Sequence, residues 1–351
     1  MRRTILIIST AVIAALAGAA PAIAAPGAAP VVRLGFFANV THASALIAQQ
    51  EKFFEKYLAP DGTRIEYTLF NAGPSAIEAM KGGALDVSYI GPSPSISGYV
   101  TTNGELLRIV SGATSGGAQL VVRKNIMSLD DLRNKVIATP QLGNTQDVAI
   151  RSYLKSKGFT TYASGPKNVL IQPTENAQTL TLFKNGQLDG AWVPEPWASR
   201  LVLEAGARVL LDEKDLWPHG RFVTTNIVAR SDFLKKYPRT ISSLLKANLD
   251  AIAFAKANPE SAQNDVQSQL IKWTTKKLAD DVIARAWTNI ELTPNPLPLT
   301  LKKNYEDATA SGFLPIYKPN ALKGIYDVRL LNQILKARKS LIYKVGMLGL
   351  A

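Results

Sequence analysis

Apolar and polar positions divide the chain after residue 30 into short strand-like runs separated by stretches with helical spacing. A strand is predicted from Val31 to Phe37, followed by the loop Ala38-Asn39-Val40-Thr41 and a helix from near His42 to Tyr57. Pro60-Asp61-Gly62 is a turn signal, and a second strand runs from Arg64 to Phe70. Asn71-Ala72-Gly73-Pro74-Ser75 leads into a short helix carrying Ile77 and Met80 one turn apart, stopped by Gly82-Gly83. The strand from Leu85 to Ile90 ends at Gly91-Pro92-Ser93-Pro94. Strands alternating with helices imply parallel pairing through helical crossovers, an α/β fold.

The same order recurs downstream. Strands are predicted at Val136 to Thr139, Asn168 to Gln172 and Leu188 to Val193, with helices at Gln146 to Ser156 and Glu175 to Phe183. Lys81-Gly82-Gly83-Ala84-Leu85-Asp86 aligns over Lys184-Asn185-Gly186-Gln187-Leu188-Asp189, which sets Tyr89 over Trp192 and Pro92 over Glu195. Two lobes of similar topology are expected; one larger doubly wound domain is the alternative. Crossings between the lobes are expected near Leu120 to Arg123 and Asn226 to Arg230. Lobe 1 is thus 31–123 plus 226–351, and lobe 2 is 124–225. Such a double crossover is a natural hinge. Ser128-Leu129-Asp130-Asp131 and Ser231-Asp232 are expected to open helices. Ile241, Leu244, Leu245, Leu249 and Ile252 keep helical spacing, as do Leu330, Leu331, Ile334, Leu335 and Leu341 in a last helix; both stripes are expected in the core.

The N-terminus changes the picture. Arg2-Arg3, an apolar run from Ile5 to Ala17 and Ala22-Ile23-Ala24 are the parts of a secretory signal, expected to occupy residues 1–24. An uncleaved anchor is the alternative. The chain has no cysteine, which excludes disulfides, thiol nucleophiles and lipid attachment at a cysteine. A periplasmic location follows as the expectation. Net charge is +13, or +11 without Arg2 and Arg3. That balance favours anionic partners, while the scattered Lys and Arg argue against nucleic acid.

Ligands of open α/β sheets bind beyond the carboxyl ends of the strands. Here those ends are small and polar: Asn39, Thr41 and His42; Gly73, Pro74 and Ser75; Gly91 and Ser93; Gly143, Asn144 and Thr145. Several run straight into helices, whose starts offer free N–H groups and a positive dipole end to an anion. Plain helix capping is the competing reading of any one loop. Trp192 and Trp197 flank Pro194-Glu195-Pro196, and either wall a pocket or pack between lobes. Phe36, Phe37 and Tyr89 are candidates for apolar contacts with an organic tail. Gly112 to Gly117 is read as a loop. Asp86 and Asp189 are expected to make structural hydrogen bonds. With two histidines, His42 and His219, and neither a nucleophile elbow nor a metal-ligand cluster, no catalytic residue, metal or cofactor is expected.

Phe70-Asn71-Ala72-Gly73-Pro74, Gly143-Asn144-Thr145 and Trp192-Val193-Pro194-Glu195-Pro196-Trp197 are arranged similarly to the periplasmic binding proteins for aliphatic sulfonates, taurine and nitrate. The resemblance runs from about Val31 to at least Tyr237. It implies a two-lobed type II periplasmic-binding fold with a ligand cleft between the lobes. It also implies a small anionic ligand, most of all an aliphatic sulfonate, and an ABC transporter permease as partner to a monomeric binding protein. Where many relatives have Asp-Pro, this chain has Glu195-Pro196. Nitrate, bicarbonate or a vitamin precursor is the alternative ligand, and a cysteine-independent exported enzyme the alternative class. The pyrimidine synthases and the aryl sulfinate desulfinase that share this fold use cysteines, which this chain lacks.

Overall fold

The computed structural model describes residues 24–161, 168–315 and 318–350. The expected export signal lies outside them apart from Ala24. The first half of the chain forms β1 (Val31–Phe37), α1 (Ala43–Gln50), α2 (Phe53–Leu58), β2 (Arg64–Phe70), α3 (Gly73–Lys81), β3 (Val87–Ile90), α4 (Pro92–Val100), β4 (Leu107–Gly116), β5 (Ala118–Val122), β6 (Val136–Thr139) and α5 (Thr145–Ser156). Then come β7 (Leu170–Pro173), α6 (Asn176–Lys184), β8 (Gly190–Pro194), α7 (Trp197–Ala205), β9 (Arg208–Asp212) and β10 (Val223–Arg230). The remainder is α8 (Ser231–Lys236), α9 (Pro238–Ala257), α10 (Pro259–Thr274), α11 (Asp280–Thr288), β11 (Ile290–Leu292), α12 (Pro298–Ala310) and α13 (Arg329–Ala337).

Two sheets result, ordered β11-β4-β10-β3-β1-β2 and β7-β6-β8-β5-β9. In each, the first strand lies between the second and third in parallel, and an antiparallel strand follows: β10 beside β3, β5 beside β8. The repeat seen in the sequence is therefore a repeat of topology. α3 and α6 are both nine residues long. Asp86 and Asp189 also play one role twice: Asp86 Oδ2 accepts from Arg33 N–H, at the head of β1, and Asp189 Oδ2 from Val136 N–H, at the head of β6.

Several expectations need correction. β5 pairs in the second sheet, so the first crossing falls at Gly116-Gly117 instead of Leu120 to Arg123. β10 pairs entirely in the first sheet, so the second crossing runs through the turns Glu213–Leu216 and Pro218–Gly220, ahead of Asn226. The boundaries at 123/124 and 225/226 move accordingly, because an apolar strand looks the same whichever sheet holds it. Gly112 to Gly116, expected in a loop, ends strand β4. The Ser and Gly content there suits a buried strand approached by backbone: Gly112 N–H donates to Pro294 O at 3.1 Å. The helix from His42 to Tyr57 is broken at Lys52, whose φ is +54°. The segment after Ser128 forms a single 3₁₀ turn, Asp130–Leu132. α13 ends before Leu341, which is exposed.

The main core lies in the first lobe, where Ile241, Leu244, Leu245, Leu249 and Ile252 of α9 are buried against the sheet. The C-terminal helices also reach the second lobe. Ser152 on α5 bonds Asp307 on α12 at 2.9 Å, and Arg285 on α11 bonds Ser199 on α7 at 2.7 Å.

Candidate functional site

The carboxyl ends of β1, β3, β6 and β8 converge between the lobes. A small cavity of about 20 Å³ lies there, and among its lining residues are Asn39, Thr41, His42, Gly91, Asn144 and Thr145. None of the residues lining it carries a formal charge if His42 is neutral. His42 is neutral: complete burial pushes its pKa down to about 3. Its Nδ1 accepts from Phe37 N–H at 3.3 Å, so the single ring proton sits on Nε2, and the ring packs at a 32° tilt against Phe37, centroids 4.3 Å apart.

Positive potential at this cavity comes from backbone. Thr145 and Gln146 open the twelve-residue α5, where first-turn N–H groups have no intrahelical partner. The N-cap, Asn144, makes no side-chain cap bond; its amide donates instead to Gln146 Oε1. Thr145 Oγ1 and Asn176 Oδ1 are buried without partners. Opposite them, Gly91 precedes α4. Pro92 and Pro94 have no N–H, so Ser93 supplies the free donor of that first turn, and its buried Oγ is also unpartnered. Ser93, an expected site residue, is nevertheless not among the residues lining the cavity; there the first lobe contributes the ring N–H of His42 and the second lobe the start of α5. Buried polar groups normally find partners, so the orphaned Thr145 hydroxyl in the cavity wall marks where an acceptor fits.

Gly91 permits this approach. A Cβ there would collide with Thr145 Oγ1 of the other lobe. Gly143 serves a different purpose. At φ +74° it makes the turn before α5 and lies under the Phe313 ring. Its N–H is taken by Asp147 Oδ2 at 3.0 Å, so it is not a free anion donor. Asp147 is itself buried and also accepts from Thr139 Oγ1 and from Arg151 Nε, which offsets its charge.

Other expected residues lie elsewhere. Gly73 is buried against Pro94, and Ser75 is exposed, bonding Gln141 of the other lobe at 3.3 Å; neither lines the cavity, nor does Pro74. Of these, Ser75 joins the lobes. Trp192 is wholly inside the second lobe, edge-on to Tyr153, with Nε1–H donating to Glu213 Oε2 at 2.8 Å. Its strand alternation turns it away from the cleft. Phe36 and Tyr89 are likewise core residues; Tyr89 OH bonds Asn248 at 3.1 Å. Glu195 is buried and faces protein: Ser199 N–H at 2.9 Å, Asn289 Nδ2 at 2.6 Å and Arg285 at 3.2 Å. Burial holds its pKa above the usual carboxylate range, partly countered by those donors. It therefore ties the second lobe to α11 instead of meeting ligand. Trp197 spans the cleft, donating to Asn39 Oδ1 at 2.9 Å.

The sequence reading missed Asn71, Gln146, Asn176 and Thr224, all of which line the cavity. Asn176 had a usable signal, since the alignment of Lys81 over Lys184 places Gly73 over it, at the same helix start. A second and larger space of about 410 Å³ opens beside the cavity, lined in part by Phe70, Leu180 and Trp197. Asn39, Asn71 and Asn176 border both spaces. Among the described residues no cluster of three or more His, Asp or Glu is placed to hold a metal. No described helix is long and apolar enough to cross a membrane.

Residues 25–270 match the NMT1-like family. The chain is 28% identical over 218 residues to the taurine-binding periplasmic protein of Escherichia coli, covering 62% of this chain and 64% of that protein, slightly under two thirds of its length. Among solved structures it is similar to the alkanesulfonate-binding protein SsuA from Xanthomonas axonopodis pv. citri bound to MOPS, with a TM-score of 0.68 at 18% identity, covering 82% of this chain and 96% of that one. It is also similar to the periplasmic nitrate-binding protein NrtA from Synechocystis PCC 6803, with a TM-score of 0.73 at 18% identity, covering 89% and 90%. These likenesses show the two-lobed periplasmic-binding fold, in agreement with the resemblance carried by the sequence motifs.

Proposed function

The chain belongs to the NMT1-like family, and from that premise we propose that it is an exported solute-binding protein that captures a small oxyanion between its lobes and delivers it to an ABC importer. A sulfonate is the first choice of ligand. Its headgroup is held by neutral donors that line the cavity: the start of α5, Thr145 Oγ1 and His42 Nε2–H. The observation that carries this reading is the buried, unpartnered Thr145 hydroxyl lining an uncharged cavity at a helix start. The names of the taurine-binding and alkanesulfonate-binding relatives support the ligand class. The periplasmic names of relatives and the signal-like N-terminus support the location.

A nitrate- or bicarbonate-sized ligand is the second reading. The small cavity volume of about 20 Å³ favours it, as does similarity to a nitrate-binding protein. Titration calorimetry with methanesulfonate, nitrate, bicarbonate and sulfate separates the two. Saturable one-to-one binding of methanesulfonate, recovered unchanged, is expected. Binding of nitrate or bicarbonate alone would reassign the ligand. Conversion of any anion to a product would overturn the binding-protein reading in favour of an enzyme.

A further inference from the structure

We propose that the preferred ligand is an organosulfonate whose body is uncharged and at least the size of a benzene ring, and that the protein discriminates against an ammonium-bearing sulfonate such as taurine. This deepens the oxyanion reading above and rests on it. The head cavity holds about 20 Å³, whereas the adjoining space holds about 410 Å³. The same three asparagines border both, so a headgroup in the first directs its substituent toward the second. Two of these asparagines make their bonds across the lobes: Asn39 accepts from Trp197, and Asn71 donates to Glu175 at 2.8 Å. They form a polar collar that a substituent must pass.

Beyond the collar the walls decide the chemistry. Phe70, Leu180, Leu278 and Trp197 supply apolar surface for a ring or chain. The charged lining is mostly cationic: Lys184, Arg200 and Lys276, against Glu175 alone. Glu204, outside the lining, takes Arg200 at 2.7 Å and stands 3.6 Å from Lys184. Counting it, cations still outnumber carboxylates. Lys276 has no ion-pair partner among the described residues. Glu175 accepts from the neutral Asn71 amide and keeps its charge, so it offsets only one of the three cations. An ammonium entering this space would leave water to meet like charge, an arrangement that costs affinity. An uncharged body meets only the apolar wall.

The test is titration calorimetry on the intact mature protein with four probes: methanesulfonate, benzenesulfonate, isethionate and taurine. The last two are the same length and differ in a terminal hydroxyl or ammonium. Benzenesulfonate is expected to bind about tenfold or more tighter than methanesulfonate, and isethionate several-fold tighter than taurine. In Ala177→Trp, which fills the larger space from an exposed position on its wall, the benzenesulfonate-to-methanesulfonate ratio should collapse toward one. In Lys276→Glu the isethionate-to-taurine ratio should narrow or invert. Equal affinity for methanesulfonate and benzenesulfonate, or taurine bound as tightly as isethionate by the unaltered protein, overturns the inference while leaving the oxyanion site standing. Failure of all four sulfonates to bind overturns both.

Discussion

Glu213 opens the second crossing between the lobes, and its carboxyl is fully buried with no cation against it. Its one short bond is the indole N–H of Trp192 at 2.8 Å. Burial pushes its pKa up to about 7, from an ordinary 4.5, with the indole N–H groups of Trp192 and Trp217 pulling the other way and Asp307 and Asp212 adding like charge. The sign follows directly. Between about pH 4.5 and about pH 7 the folded protein keeps this proton and the unfolded chain loses it, so stability falls as pH rises through that window. Over ~2.5 pH units at ~1.36 kcal/mol each, the loss reaches at most ~3.4 kcal/mol above pH 7. Glu213→Gln keeps an acceptor for Trp192 and removes the charge. Its stability should match the parent near pH 4.5 and exceed it by ~1–3 kcal/mol at pH 8.5. Urea denaturation followed by tryptophan fluorescence at both pH values measures the difference. A difference that does not change with pH, or a variant less stable than the parent at pH 8.5, would refute a raised, uncompensated carboxyl at this hinge.

Four further outcomes follow. Thr145→Val keeps shape and removes a hydroxyl donor to a charged ligand, so methanesulfonate affinity should drop roughly tenfold or more, from a loss of ~1.5–3 kcal/mol seen in calorimetry. Ser75→Ala, at the exposed rim, should change that affinity by less than about threefold; a tenfold loss would return the anion to the start of α3. Gly91→Ala should weaken binding while leaving the unliganded melting temperature nearly unchanged, since the added Cβ meets Thr145 only across the cleft; scattering should show a more open particle. Arg285→Met strands the buried Glu195 carboxylate and should cost ~2–3 kcal/mol in chemical denaturation, relieved when Glu195→Gln is added.

Local pattern carried the architecture well. The glycine-then-Leu-Asp punctuation before β3 and β8 is repeated because Asp86 and Asp189 must each bond the first strand of their sheet. What pattern could not carry was strand membership. Ala118–Val122 and Val223–Arg230 are both buried apolar strands, and nothing in their composition says which sheet they join. The loops around the site were found because polar residues at strand ends have few other uses. Their roles were less legible. Gly143 looked like an anion donor, yet Asp147, one turn along, claims its N–H. Trp192 looked like a pocket wall, but the alternation along β8 turns it inward to Glu213. Glu195 found its cation on α11, ninety residues away in sequence, at Arg285. Pro92-Ser93-Pro94 marked the end of a strand, and its folding into the first turn of α4 keeps Ser93 out of the cavity lining.

The account turns on where an anion sits. Crystals of the mature protein grown with methanesulfonate, measured for anomalous scattering from sulfur, test it most directly, because without cysteine the four methionines of the full chain, Met1 among them, carry its native sulfur. The account predicts one additional peak between the lobes, with sulfonate oxygens within hydrogen-bond distance of Thr145 Oγ1 and the first N–H groups of α5. A peak at Gly73–Ser75, or a fully occupied sulfonate elsewhere with the inter-lobe cavity empty, would contradict it.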